Sequence, residues 1–292
     1  MIIKKRCRDK CDKYAGDREK PKKRLKVLKM AVGKFYYPKD NPKKPMGEDA
    51  FFICEEQRTM GVADGVGGWA KKGIDSGEYA RELMTQAVNA VHLQSKKGFV
   101  DPRKVLNDAF LNTKAKGSST ASIVTLREGV LHGVNVGDSG LMIFRNNRFL
   151  FQSDFQQHSF NAPFQLGNGE SSDRPDSARE YKFPVEAGDI LVLGSDGLFD
   201  NLYIDTIEYI LSWSDGILGV DDLAEHIADV ALLFSLSKDS RTPFQDASER
   251  EGLNHVGGKK DDITVLVAQI TGDLDKDGYL DYGEFLAVSI HL

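Results

Sequence analysis

Residues 61–69, with the sequence GVADGVGGW, constrain this chain more than any other segment. They have the pattern of a buried strand that ends in an acidic residue and continues into a glycine-rich turn. The strand would fix the carboxylate of Asp64, and the turn would expose the backbone carbonyl of Gly65. Carboxylate and carbonyl oxygens are the ligands that hard divalent cations prefer. Because Asp-Gly alone is more often simply a turn, a cation site here depends on the rest of the chain.

Three further segments place acidic residues at the ends of apolar runs. Carboxylates at the ends of strands that are far apart in sequence can converge in the folded chain. A pair of metal ions about 3.5–4 Å apart needs such a set, with a shared carboxylate and a water acidic enough to attack phosphorus. The segments are Glu48-Asp49 before the run 50–54, Asp196-Gly197 after the run 189–194, and Asp261-Asp262 before the run 263–267.

The remaining pattern predicts many antiparallel strands with helices in pairs, which is typical of the α+β class. Apolar residues at helical spacing predict helices over 75–93, with Ser76 as the N-cap, and over 102–110, which begins with a proline. We expect irregular polar chain before the last strand. The other expected elements are strands 120–126, 130–136, 141–145, 149–152, 181–185 and 189–194, helices 204–213 and 220–236, and loops 36–45 and 168–177.

Six motifs follow one another along the chain: Glu48-Asp49, Asp64-Gly65-Val66-Gly67-Gly68, Gly117-Ser118-Ser119-Thr120-Ala121, Gly137-Asp138-Ser139-Gly140, Ser195-Asp196-Gly197-Leu198-Phe199-Asp200-Asn201 and Asp261-Asp262-Ile263-Thr264. In this order they resemble the motifs of protein phosphatase 2C, a family of metal-dependent serine/threonine phosphatases. Val66, where most members carry His, and the segments 156–158 and 163–166 resemble the short branch known from mitochondria and plastids. The resemblance covers about residues 28–270 and implies an α/β/β/α sandwich of two antiparallel sheets flanked by helix pairs.

The resemblance implies a catalytic site with two Mn²⁺ or Mg²⁺ ions. Asp64 would bridge the ions, the carbonyl of Gly65 would cap one of them, and Asp196 and Asp261 would hold the other. Asp64 and Asp196 are therefore the expected catalytic residues. A water between the ions would attack the phosphorus of phosphoserine or phosphothreonine in line, so the expected partner is a phosphoprotein.

Further acidic residues complete this implied set. Asp49 belongs to the metal site and, together with Glu48, anchors metal-bound waters. Asp138 matches the aspartate that can help to hold a third, weaker ion, and the alternative is a simple hairpin-turn residue. The alternative function is a catalytically weak relative that binds phosphoproteins or calcium as a regulatory module. The retained aspartates argue against it, because a pure binder gains nothing from a cluster of like charges.

Two departures from the family pattern concern proton donation and phosphate binding. Val66 removes a His that can protonate the leaving alkoxide, so a metal-bound water would have to do so. His158 could replace it, although a lone His beside aromatic residues is more often packed. No Arg precedes Glu48 at the spacing where members bind phosphate. Lys43 and Lys44 are candidate phosphate-binding residues there, with solvated loop lysines as the alternative.

Charge divides the 292-residue chain unevenly. Residues 1–30 contain 13 Lys and Arg against 4 Asp and Glu, a charge of +9; since the whole chain carries −5, residues 31–292 carry −14. The basic arm 1–30 could be solvated and disordered, a nuclear signal or an anion-binding patch, and it is a poor transit peptide. Because the arm contains acidic residues, a mitochondrial or plastid location rests on the family resemblance alone. Cytoplasm and nucleus are the alternatives.

Three cysteines are too few for a disulfide framework, which favours a reducing compartment. No apolar run approaches the about 18–20 residues that a membrane span requires. We expect a soluble, intracellular monomer without a nucleic-acid partner.

The C-terminal segment 271–292 differs from the expected catalytic domain 31–270. Its loop 273–284 matches the ligand pattern of an EF-hand calcium site and resembles an EF-hand of calcium-dependent protein kinases. The residues before it belong to a strand, so the entering helix is missing, and no partner EF-hand follows. A fusion tail without calcium function is the alternative. The candidate Ca²⁺ ligands are Asp273, Asp275, Asp277, Tyr279, Asp281 and Glu284.

Overall fold

A computed structural model of the chain describes residues 28–272. Within this range six α-helices and two short 3-10 helices, Gly67–Lys72 and Pro175–Ser177, accompany fourteen strands. The helices are α1 Ser76–Ser95, α2 Pro102–Asn112, α3 Asp196–Phe199, α4 Ile204–Ser214, α5 Val220–Leu236 and α6 Pro243–Arg250. The strands are β1 Leu28–Tyr37, β2 Asp49–Cys54, β3 Thr59–Asp64, β4 Ser118–Ser119, β5 Ala121–Arg127, β6 Val130–Val136, β7 Gly140–Arg145, β8 Arg148–Gln152, β9 Gln157–Ser159, β10 Ala162–Pro163, β11 Leu166–Gly167, β12 Arg179–Pro184, β13 Ile190–Gly194 and β14 Ile263–Gly272.

Two five-stranded sheets form the centre of the described chain. The first sheet has the order β12-β6-β5-β3-β2, and the second has the order β1-β14-β13-β7-β8. All pairs within them are antiparallel. The described residues also form two separate two-stranded ladders, β4 with β11 and β9 with β10. The expected α+β class with antiparallel sheets is confirmed.

Three apolar cores separate the layers. One core joins α1 and α2 to the first sheet, with Leu83, Leu106 and Ile123 among its members. A second joins the second sheet to α3, α4 and α5 and includes Ile227 and Val265. The third lies between the sheets, where side chains of β3, β5, β7, β13 and β14 meet. Burial on both faces explains why the central strands are continuously apolar instead of alternating.

Helix α1 begins one residue away from the expected cap. Asp75, not Ser76, is the N-cap, and its Oδ1 accepts a hydrogen bond from the backbone N–H of Gly77 at 3.1 Å. Ser76 is not available as a cap because its hydroxyl donates to Glu48 Oε1 at 2.5 Å. The start of α2 at Pro102 is confirmed, with Asp101 as its cap.

The two longest elements that the sequence analysis missed are β1 and α6. Strand β1 includes Tyr36 and Tyr37, which we expected in a loop; it pairs along its whole length with β14, from Leu28 opposite Gly272 to Tyr37 opposite Ile263. Helix α6 lies in the stretch expected to be irregular, with Thr242 as its N-cap. Its few apolar residues hide it from a periodicity search. No helix within residues 28–272 is long and apolar enough to cross a bilayer.

Candidate active site

The hairpin of β2 and β3 brings the first two candidate ligands together. Asp49 begins β2 and Asp64 ends β3, and the register places them directly opposite each other. Asp49 is 4% exposed, and its Oδ2 accepts a hydrogen bond from Thr264 Oγ1 at 2.7 Å. Since Thr264 belongs to β14, this bond connects the edge of the first sheet to the second sheet. The carboxylates therefore lie where the two sheets meet.

The turn after β3 fixes the backbone beside Asp64. The N–H of Asp64 donates to Thr120 Oγ1 at 3.1 Å, and the N–H of Thr120 donates to the Asp64 carbonyl at 2.9 Å. The next residue must be glycine because a Cβ at Gly65 would lie 2.7 Å from the carbonyl oxygens of both Glu48 and Ser76. The chain segments carrying Asp64 and Glu48 thus approach as closely as backbone allows.

Asp196 reaches the same place from the second sheet. It begins the short helix α3 two residues after β13, so it opens a helix instead of ending a strand. A Cβ at Gly197 would lie 2.0 Å from the carbonyl oxygen of Asp262, so only glycine lets α3 pack against the start of β14. The N–H of Thr264 also donates to Ser195 Oγ at 3.1 Å. These contacts place Asp196 beside Asp261.

The adjacent residues Asp261 and Asp262 have different roles. The buried carboxylate of Asp262 accepts hydrogen bonds from the Tyr36 hydroxyl at 2.9 Å, from the N–H of Lys39 at 2.8 Å and from the N–H of Glu48 at 3.0 Å. It is thus a structural clamp for the chain that leads into β2. Asp261 is more exposed and contacts Lys39 Nζ at 3.4 Å, so of the two it is the one available as a ligand.

Burial and mutual repulsion perturb these carboxyl groups strongly. Burial and the neighbouring acids raise the pKa values of Asp49 and Asp64 well above the ordinary range. The same causes, burial first and then Asp196, raise the pKa of Asp138 to about 7. Clustered acids with perturbed pKa values are characteristic of functional sites.

Several buried carboxylate oxygens have no hydrogen-bond partner among the described residues: Asp49 Oδ1, Asp138 Oδ1 and Asp196 Oδ1. Buried polar atoms are normally paired, and a bound cation satisfies a buried carboxylate oxygen that lacks a donor. Oxygen-rich anionic sites suit hard divalent cations. In chemical type the residues present therefore fit the implied Mn²⁺ or Mg²⁺ ions.

Two residues near these acids were missed by the sequence analysis as parts of the site. Lys259 Nζ contacts Asp196 and Asp200, and its charge outweighs the effect of burial and lowers the pKa of Asp196. Burial, partly opposed by the charge of Lys259, raises the pKa of Asp200 to about 7. Asp200 could have been found, because it follows Asp196 by four residues, the spacing of neighbours on a helix. Lys259 belongs to a pair of adjacent lysines, a pattern that predicts solvated surface residues.

The carboxylates are neighbours, but they are not in coordinating positions. Within residues 28–272, no three of the His, Cys, Asp and Glu side chains form a ready arrangement for an ion. Asp196 and Asp261 instead surround the ammonium group of Lys259, which contacts both of them.

Of the two candidate phosphate-binding lysines, the structure brings only Lys44 to the acidic group. Lys44 Nζ lies 2.6 Å from Glu48 Oε1 and 3.7 Å from Asp75 Oδ1, whereas Lys43 is exposed. Glu48 Oε1 also accepts from the Ser76 hydroxyl, so two donors orient this side chain. The ammonium group of Lys44 is consequently held beside the site by carboxylates.

The remaining sequence candidates occupy less central positions. Asp138 lies in the turn between β6 and β7, and its Oδ2 accepts from Gln157 Nε2 at 2.8 Å. His158 stacks on Phe164 with ring centroids 4.0 Å apart and its Nε2 contacts Asp173, while its side chain is 52% exposed. The basic arm up to residue 27 and the calcium loop 273–284 lie outside the described residues.

Comparisons with known proteins agree with this fold. The family model described as Stage II sporulation protein E (SpoIIE) matches residues 59–271. Probable protein phosphatase 2C 80 of Arabidopsis thaliana is 43% identical over 249 residues, which are 85% of this chain and 60% of that protein. The X-ray structure of the photosystem II phosphatase PBCP is 32% identical with a TM-score of 0.76, covering 82% of this chain and 98% of that one.

A more distant structure shares the fold. The catalytic domain of the serine threonine protein phosphatase PstP, in complex with two manganese ions, is 18% identical with a TM-score of 0.57 and covers 84% of this chain and 99% of that one. The matches over most of its length identify the class: this chain belongs to the protein phosphatase 2C family. It spans 60% of the length of its Arabidopsis relative.

Proposed function

We propose that this chain hydrolyses phosphoserine and phosphothreonine in proteins with the help of two Mn²⁺ or Mg²⁺ ions. The observation that carries the proposal is the convergence of carboxylates from four separate segments, with buried oxygens left unpaired. The close contacts that only Gly65 and Gly197 permit hold those segments together. Membership of the phosphatase 2C family gives the reaction class.

We assign the ligands of each metal ion as follows. Asp64 and the carbonyl of Gly65 would hold the first ion, with Asp64 shared between the two. Asp196 and Asp261 would hold the second. Asp49 and Glu48 would orient water on the ions, and Asp138 would serve a third, weaker ion. Asp64 and Asp196 are the proposed catalytic residues.

When bound, the ions would neutralise phosphoryl oxygens and lower the pKa of a water that attacks phosphorus. The chain's own residues keep the acids in place: Thr264 holds Asp49, and Ser76 with Lys44 holds Glu48. Lys44 Nζ is the cation near Glu48 that would receive a phosphoryl oxygen, as a point charge and not as a bidentate fork. Val66 offers no proton donor, so a water in the site would have to protonate the leaving alkoxide.

The test is release of phosphate from a phosphothreonine peptide in Mn²⁺, in Mg²⁺ and after chelation with EDTA. We expect both metals to support turnover and EDTA to abolish it. Asp196→Asn should reduce turnover by about 10²-fold or more while far-ultraviolet circular dichroism stays unchanged, because a metal-bound carboxylate becomes a neutral amide. Asp176→Asn is the matched control, since that carboxylate is 98% exposed. Turnover that survives complete chelation would refute the proposal.

One observation favours the alternative of a catalytically weak relative that binds phosphoproteins. The ammonium group of Lys259 lies between Asp196 and Asp261, which are the proposed ligands of the second ion. The same assay separates the alternatives, because a binding module would retain the phosphopeptide in Mn²⁺ without releasing phosphate. We also propose, from the sequence, that the partner is a phosphoprotein and that the chain is an intracellular monomer.

A further inference from the structure

Lys259 is enclosed by the acids of the candidate site. Its Nζ lies 2.5 Å from Asp196 Oδ2, 2.7 Å from Asp200 Oδ2 and 3.5 Å from Asp261 Oδ2. The side chain is 14% exposed, whereas the adjacent Lys260 is exposed. The contacts with Asp196 and Asp200 are hydrogen bonds, and Asp261 is an ion-pair neighbour.

The backbone around Lys259 is built to hold this position. The N–H of Lys259 donates to Asn201 Oδ1 at 2.9 Å, and Asn201 Nδ2 donates back to the Lys259 carbonyl at 2.9 Å. Asn201 is fully buried and lies two residues after the end of α3. Both backbone groups of Lys259 are thus fixed to the element that carries Asp196, so the lysine is delivered to the acids by a defined loop and not by a mobile surface segment.

The ammonium group of Lys259 contacts Asp196 Oδ2, whereas Asp196 Oδ1, unpaired among the described residues, is the oxygen open to a cation, so the ammonium group and an ion would share this carboxylate. The proposed function, on which this inference rests, assigns Asp196 and Asp261 to the second ion. Mg²⁺ binds carboxylate oxygens at about 2.0–2.1 Å, closer than any ammonium contact, and two cations on one carboxylate repel each other. An ion bound at Asp196 Oδ1 and at Asp261 therefore repels Nζ and weakens its contacts with these two carboxylates.

The structure also provides a place to which the ammonium group can move. Asp200 accepts its second hydrogen bond, and the ring of Phe244 has its centroid 5.2 Å from Nζ, within the range of a cation–π contact. The N–H of Phe244 donates to the Asp200 carbonyl at 2.9 Å, so helix α6 fixes the ring beside Asp200. A small change in the flexible lysine stem keeps these two partners and releases the other two.

We propose that Lys259 is a tethered counter-ion of the second metal position. In the metal-free protein it holds Asp196 and Asp261 together and reduces their repulsion. The second ion binds only when it displaces the ammonium group towards Asp200 and Phe244, so the lysine lowers the affinity of that position for metal. The chain thereby stays assembled without metal and exchanges its second ion readily.

The experiment compares wild type, Lys259→Met and the matched control Lys260→Met. Titration calorimetry and electron paramagnetic resonance with Mn²⁺ alone give the number and affinity of bound ions, and thermal unfolding is followed in EDTA and in saturating Mn²⁺. We expect Lys259→Met to bind the second Mn²⁺ at least about tenfold more tightly than wild type and to unfold at a lower temperature in EDTA. Saturating Mn²⁺ should remove that deficit, and Lys260→Met should behave as wild type.

The outcomes distinguish this inference from the proposed function. Second-ion affinities that agree within about twofold between Lys259→Met and Lys260→Met overturn the inference and leave the proposed function standing. A wild-type chain that binds no Mn²⁺ overturns both. If Lys259→Met does not fold even with Mn²⁺, Lys259→Gln, which keeps a donor for Asp200, replaces it, and the same tenfold gain is required.

Discussion

Replacing Asp138 by Asn should stabilise the metal-free protein at alkaline pH. Burial and the neighbouring acids raise the pKa of Asp138 to about 7. The folded chain therefore binds a proton at Asp138 more readily than the unfolded chain between about pH 4 and pH 7, and stability is lost as pH rises through this window. An amide cannot ionise, and its oxygen can still accept from Gln157 Nε2. The substitution should remove this loss.

The magnitude follows from the size of the pKa shift. Against an unfolded value of about 3.9, a folded value of about 7 corresponds to about 4 kcal/mol of destabilisation at pH 8, at about 1.36 kcal/mol per unit. At pH 5 the same calculation gives about 1.5 kcal/mol. The buried amide costs about 1–3 kcal/mol for its unpaired N–H groups. The net gain is therefore about 2 kcal/mol at pH 8 and near zero at pH 5.

The assay is thermal unfolding in EDTA at both pH values, for wild type, Asp138→Asn and the exposed control Asp176→Asn. At about 2–4 °C per kcal/mol for a domain of this size, the midpoint of Asp138→Asn should rise by about 4–8 °C relative to wild type at pH 8. At pH 5 the two midpoints should nearly coincide, and the control should show no such difference. A gain that is equal at both pH values, or absent at pH 8, would refute the electrostatic reasoning.

Three further predictions concern separate parts of the chain. Lys44→Ala should raise the KM for a phosphopeptide by about 10-fold and change kcat less, because it removes one point charge from phosphate binding; steady-state kinetics against Lys43→Ala measures this. Gly197→Ala should destabilise the fold by about 1–3 kcal/mol or more in chemical denaturation, since its Cβ would lie 2.0 Å from the Asp262 carbonyl oxygen. Deletion of 273–292 should leave turnover and stability nearly unchanged, with any calcium affinity lost on deletion as weak as about 10⁻⁴–10⁻³ M by calorimetry.

The deletion must begin after Gly272 for a structural reason. Thr271 and Gly272 belong to β14 and pair with Lys29 and Leu28 of β1. A cut at residue 271 would remove ladder hydrogen bonds from the second sheet and confuse a tail effect with a fold effect. The strand that precedes the calcium loop is as the sequence predicted, whereas the division into arm, domain and tail stays a prediction.

The parts of the site that depend on local pattern could be predicted from the sequence. Asp64 follows an apolar run into glycines, and Asp261 precedes one, so strand and acid are adjacent in the chain. Pairing across more than two hundred residues leaves no local trace, which is why β1 was missed although β14 was expected. Helix α6 did have a start signal in Thr242-Pro243, but its apolar face is too short to give a period.

Side-chain placement at the site was beyond sequence reasoning because it depends on several segments at once. Serine is a favourable N-cap residue, but the Ser76 hydroxyl donates its hydrogen bond to Glu48 instead. Lysine is a typical surface residue, but Lys259 lies among the acids of the site because Asn201 fixes its backbone there. In both cases the contacts of the side chain depend on residues that are distant in sequence and become neighbours only in the folded chain.

The clamp made by Asp262 explains how a cluster of like charges can exist before metal arrives. Its carboxylate accepts three hydrogen bonds, two of them from backbone N–H groups of Lys39 and Glu48, and it is 3% exposed. Backbone donors are neutral and fixed by the chain, so this clamp does not loosen when Asp261, its neighbour, gains or loses a cation. The segment carrying Glu48 is thereby anchored to β14 independently of metal. Repulsion among the acids then acts on side chains alone, where a single ammonium group can offset much of it.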